Sequence, residues 1–167
     1  MFWLRITKYN PIYRNEEGHY KKDEWTSYSD IGTRYDDKLI TFQDYIKFED
    51  AYVYAVISFM HCIEISELKI VNLEKYSDDF DKNYSQQMIK TLNSIKNNQV
   101  MTTNIEDVIR LVLRENMWCK LEGMGLAIHF GYDYYMYIGS EKKCDQQIKE
   151  IEKRGLFVEP YESPYLD

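Results

Sequence analysis

Glycine and proline are scarce, at Gly 7 and Pro 3 in 167 residues. That excludes a collagen repeat and a Pro/Gly-rich linker, and a hydrophobic content of 44% excludes wholesale disorder. Alanine appears only at Ala51, Ala55 and Ala127. No apolar run approaches the ~18 residues of a membrane helix, since the densest, Ala51 to Met60, is short and carries Ser58. The start, Met1-Phe2-Trp3-Leu4-Arg5, lacks the charged leader, apolar stretch and cleavage site of a signal peptide. Cysteine is limited to Cys62, Cys119 and Cys144, an odd and widely spaced set without a CxxC pair. The expectation is three reduced thiols in a cytoplasmic protein. His19, His61 and His129 are equally scattered, so no metal or other cofactor is expected. Glycine-rich phosphate loops are missing too: Gly123 and Gly125 imitate the start of a dinucleotide fingerprint, but no third glycine follows.

What is abundant is acid and tyrosine. Asp plus Glu is 28 against Lys plus Arg 21, a net charge of −7. The phosphate backbone of nucleic acid demands cations, so DNA and RNA are disfavoured as ligands and a basic protein is favoured through electrostatic steering. Lys142-Lys143 and Lys153-Arg154 are surrounded by Glu141, Glu150 and Glu152 and read as a solvated helix face. Sixteen tyrosines offer rigid contact area with a polar tip, although an AT-rich coding bias produces the same excess.

The length suits one domain spanning residues 1–167. Alternation predicts a strand over Phe2–Tyr9, ended by Asn10-Pro11. Residues 12 to 40 form a long structured loop with a short strand near Lys38–Thr41. Thr41, with Asp44 three residues on, opens a largely buried helix through Met60, whose polar stripe is Gln43, Lys47, Asp50, Tyr54, Ser58 and His61. A strand over Leu68–Leu73 and an acidic loop Glu74–Asp81 follow, then a helix marked by Tyr84, Met88, Leu92 and Ile95. Another helix opens near Asn104, where Glu106, Arg110 and Arg114 have ion-pair spacing. Strands over Met117–Glu122, Leu126–Phe130 and Tyr134–Ile138 form hairpins, and a helix from Ser140 closes at Gly155 before a strand at Leu156–Glu159. The mixture is α+β, an antiparallel sheet with helices packed mainly on one face.

Two chemical readings compete. A three-residue loop Gly123-Met124-Gly125 sets Cys119 opposite His129, a pair suited to a small hydrolase or transferase; a two-residue loop brings Lys120 there instead. The commoner meaning of such a pair is a buried thiol beside a hydrogen-bonded histidine. Against it stands a binding surface built from Trp25, Tyr28, Asp30, Asp36, Asp37, Asp78, Asp79, Asp81, Tyr132 and Asp133, aromatic anchors with rim charges. Asp78-Asp79-Phe80-Asp81 lacks the glycine and distal glutamate of an EF-hand.

On Trp25-Thr26-Ser27-Tyr28-Ser29-Asp30-Ile31-Gly32 and His129-Phe130-Gly131-Tyr132-Asp133-Tyr134-Tyr135 the chain resembles small bacterial proteins that carry similar WTS-x-SDIG and HFGYDYY stretches. That resemblance implies no catalytic residues. In type (small, acidic and free of catalytic motifs) the chain is also similar to immunity proteins that neutralise bacterial toxins. The expectation is a protein-binding module, monomer or homodimer, that masks a basic partner such as a nuclease toxin.

Overall fold

A computed structural model describes residues 1–166. In chain order its elements are β1 (Phe2–Thr7), β2 (Arg34–Tyr35), β3 (Lys38–Leu39), α1 (Phe42–Ile63), β4 (Leu68–Lys75), α2 (Gln86–Ser94), β5 (Val100–Met101), α3 (Ile105–Leu113), β6 (Met117–Gly123), β7 (Leu126–Phe130), β8 (Tyr135–Ser140), α4 (Asp145–Lys153) and β9 (Phe157–Pro160). Seven strands form one antiparallel sheet in the order β5-β4-β6-β7-β8-β1-β9, and β2-β3 is a separate ribbon. The fold is α+β. The last helix starts later than the sequence suggests, because Ser140 still belongs to β8 and turns the chain with a hydrogen bond to the Lys142 carbonyl.

Local chemistry explains the principal elements. Thr41 and Asp44 make a reciprocal capping box: the Asp44 amide donates to Thr41 Oγ1 at 3.2 Å and the Thr41 amide to Asp44 Oδ2 at 2.9 Å. From that cap α1 runs across β7 and β8, burying Tyr45, Tyr52, Ala55, Val56 and Phe59. Ser58, expected on the polar stripe, is buried and satisfied by the Ala55 carbonyl. Helix α3 packs on β6, α2 packs on α3, and α4 lies beside β9. The core holds Leu121, Ile128 and Ile138 of the central strands. Fully burying side chains of this size is worth about 1.5–3 kcal/mol each.

The opposite sheet face carries Trp3, Lys120, His129 and Tyr137, and the C-terminal segment lies against it. Lys120 Nζ donates to the Tyr165 carbonyl at 2.7 Å, and His129 Nδ1 meets Ser163 Oγ at 2.7 Å. Trp3 pairs with Gly139, where an added Cβ would sit 2.6 Å from the indole. The lack of a side chain is what lets the ring approach the strand there.

The cysteines depart from expectation. Cys62 near the end of α1 and Cys144 at the start of α4 form a disulfide, leaving Cys119 as the free thiol among the described residues. An odd count hid this, because two bonded cysteines and one buried one look the same in sequence as three thiols. No helix among the described residues is long and apolar enough to cross a membrane.

Candidate functional site

The proposed cysteine–histidine pair does not form. Strand β6 joins β7 through a two-residue turn, so Gly123, not Glu122, faces Leu126, and Leu121 faces Ile128. Alternation then puts Cys119 on the core side with Leu121 and puts His129 on the opposite face. Burial pushes the Cys119 thiol up to about 12, so at neutral pH it is held as the neutral thiol and not the nucleophilic thiolate. His129 is instead held between the Trp3 ring, 5.0 Å away, and Ser163.

Three segments far apart in sequence meet at one end of the sheet, where α3 ends, β6 begins and β7 turns into β8. They build two adjoining concavities. The larger, about 540 Å³, lies between the loop at Tyr28–Ile31 and the loop at Ser77–Tyr84. The smaller, about 350 Å³, lies between Thr26, Tyr76, Glu115 and the turn Gly131–Tyr135. Residues close in sequence divide between them: Thr26, Tyr76 and Glu115 face the smaller, while Tyr28, Ser77, Arg114 and Asn116 face the larger. The partition is tied by Ser27 Oγ, which donates to Glu115 Oε2 at 3.2 Å.

Charge in the larger concavity is arranged in two tiers. Arg114 lines it, yet its guanidinium is consumed: Nε and Nη2 reach the two oxygens of Glu49 at 2.6 and 2.8 Å, and Nη1 reaches the Asn83 carbonyl. The rings of Tyr28 and Tyr84 each lie 4.9 Å from that guanidinium, stacking it in place. Arg110 adds a second cation to Glu49 at 2.7 Å and also takes Asp50 at 2.8 Å. Both arginines therefore pair with α1 and not with Glu106, the partner that their helical spacing suggests. Glu49 itself is fully buried, a charged residue on the apolar side of α1. The clue was there: an acid between Tyr45 and Tyr52 at helical spacing must find a cation if it is to be buried.

Above this neutralised tier, Asp79 and Asp81 are exposed. Tyr28 donates its hydroxyl to Asp81 at 2.7 Å, and burial together with that acceptor raises its pKa, keeping the phenol neutral.

The sequence-derived binding residues thus divide. Tyr28, Asp79 and Asp81 line the larger concavity; Tyr132 and Asp133 line the smaller; Asp78 is exposed beside Asp79. Asp30 is occupied within its own loop, accepting from the Thr26 and Ser27 amides at 2.9 and 3.1 Å. Asp36 and Asp37 form the turn of the β2-β3 ribbon, both with left-handed φ, and line neither concavity. Trp25 is not a surface anchor. It is buried among Tyr45, Phe48 and Tyr134, with Lys8 Nζ 4.0 Å above its ring. Tyr76, Tyr84, Glu115 and Trp118 belong to the site and carried no distinguishing signal in sequence. Among the described residues no group of three His, Cys, Asp or Glu side chains is placed to hold a metal ion.

Compared with family models, with curated proteins and with solved structures, the chain matches none.

Proposed function

We propose that the chain is a protein-binding module of the immunity type, a bacterial protein that masks a basic partner such as a nuclease toxin. The observation that carries the reading is the convergence of segments 26–31, 76–84 and 130–135 on two aromatic concavities with acidic rims. Of the described residues lining them, Arg114 is the one cation, and Glu49 has neutralised it. A net charge of −7 adds long-range attraction for a cationic surface. The enzyme alternative has lost its carrying pair, since Cys119 and His129 lie on opposite faces of the sheet. The reading keeps the protein in the cytoplasm with its target. A reducing cytoplasm opens bonds such as Cys62–Cys144, and because both cysteines lie outside the linings of the concavities, opening the bridge removes no lining residue.

Co-expression with the product of the adjacent gene, followed by purification at low salt, tests the reading. A stable complex is expected. Asp79→Asn with Asp81→Asn should slow its association and flatten the salt dependence, whereas Tyr132→Ala should speed dissociation. Recovery of the chain alone under these conditions overturns the proposal.

A further inference from the structure

We infer that the smaller concavity is a socket for an aromatic side chain of the partner, flanked in the partner's sequence by lysine or arginine; the inference rests on the reading of the chain as a binder of a basic protein. The cavity grades from an apolar floor to an acidic rim. The floor is apolar and buried, formed by Val112, Leu113, Met117, Phe130 and Met136. The polar atoms in the wall are already satisfied. Trp118 Nε1 donates to the Phe130 carbonyl at 2.8 Å, and the Tyr134 hydroxyl donates to the Leu113 carbonyl at 2.9 Å. What the depth offers a ligand is carbon and ring surface.

The rim is the opposite. Tyr132 is 84% exposed and Tyr76 60%, and the carboxylates of Glu115 and Asp133 stand exposed beside them. No lysine, arginine or histidine is among the described residues that line the cavity. Glu115, Asp133 and Tyr134 all have left-handed backbone, at φ 63°, 54° and 64°. Such geometry is uncommon for non-glycine residues, and least expected at a bulky tyrosine. At Tyr134 it is held by the Tyr52 hydroxyl, which donates to the Tyr134 carbonyl at 2.5 Å.

This gradient discriminates between occupants. A lysine inserted end-on would carry its ammonium to the apolar floor, where no acceptor waits and desolvation opposes it. An aromatic ring fills the floor while its basic neighbours meet Glu115 and Asp133 at the rim. An acid-flanked ring is repelled. Anchors of this kind, a ring in a desolvated pocket within a charged border, dominate binding energy at interfaces.

The test is a titration of isotope-labelled protein with the peptide acetyl-Gly-Lys-Phe-Lys-Gly-amide, followed through the indole N–H signals. Trp118 lines the cavity, and Trp3, beside His129, does not, so Trp3 serves as the internal control. The Trp118 signal should move saturably while that of Trp3 stays still. Changing phenylalanine to alanine, or both lysines to glutamate, should weaken binding about tenfold. Glu115→Gln combined with Asp133→Asn should weaken the lysine peptide about fivefold and leave a serine-flanked phenylalanine peptide unchanged. Equal binding of the acidic peptide overturns the inference. So does free phenethylammonium binding as tightly as the peptide, which would make the cavity a site for small amines. A still Trp118 while a basic partner copurifies overturns the socket and leaves the wider reading standing; loss of both overturns both.

Discussion

Arg114 grips Glu49 through two hydrogen bonds, from Nε at 2.6 Å and Nη2 at 2.8 Å, with both side chains buried. The pair joins the middle of α1 to the end of α3 and sets the floor under Tyr28 and Tyr84. A buried ion pair gains little over a well-packed apolar pair, but removing one partner strands the other charge. Glu49→Ala is therefore expected to cost about 3–5 kcal/mol in urea unfolding, and Glu49→Leu with Arg114→Met much less. Equal losses for the single and double variants would show that the charges are not coupled.

The cysteines give a count as well as a stability. Native protein oxidised in air should show no thiol that alkylates at neutral pH, because Cys62 and Cys144 are then bonded and the buried Cys119 thiol is pushed up to about 12. Unfolding without reductant should expose one thiol, Cys119. Opening the bridge, which spans 82 residues of chain, should lower stability by about 2–4 kcal/mol. Rapid alkylation of Cys119 in the native protein would contradict the placement of its strand.

Legibility followed the range of the interactions involved. The Thr41–Asp44 cap was readable because its parts lie three residues apart and the chemistry is local. The hairpins of β6, β7 and β8 were readable from turn residues, yet Cys119 and His129 turned on a single residue of loop length, and a one-residue slip exchanges the faces of a strand. Glu49 does not stand out among apolar neighbours because its cations arrive from the C-terminal end of α3, some sixty positions later. Trp25 was legible as an aromatic in a loop, but not as buried, since Tyr45 and Tyr134 that enclose it come from α1 and the turn before β8. The two concavities exist only once three distant segments meet, and no periodicity announces that.

The capping box makes a pH-dependent contribution whose sign is fixed by its geometry. The Asp44 carboxylate accepts from the Thr41 amide and hydroxyl at 2.9 and 2.8 Å and from Lys38 at 3.2 Å. Those bonds, the backbone one foremost, hold its pKa at about 2, below the ordinary 3.8. A depressed carboxylate stabilises the fold fully above its unfolded pKa and loses that contribution as pH falls through the folded value. Wild-type stability should therefore decline between about pH 4 and pH 2 in a component that Asp44→Asn lacks. The difference between the two proteins should be largest at neutral pH and close toward pH 2. Thr41→Ala removes the partner from the other side and is expected to cost about 1 kcal/mol at neutral pH. Urea unfolding at a series of pH values reads both effects. A wild-type and Asp44→Asn difference that stays constant from neutral pH to pH 2 would show that Asp44 does not titrate as a capped carboxylate.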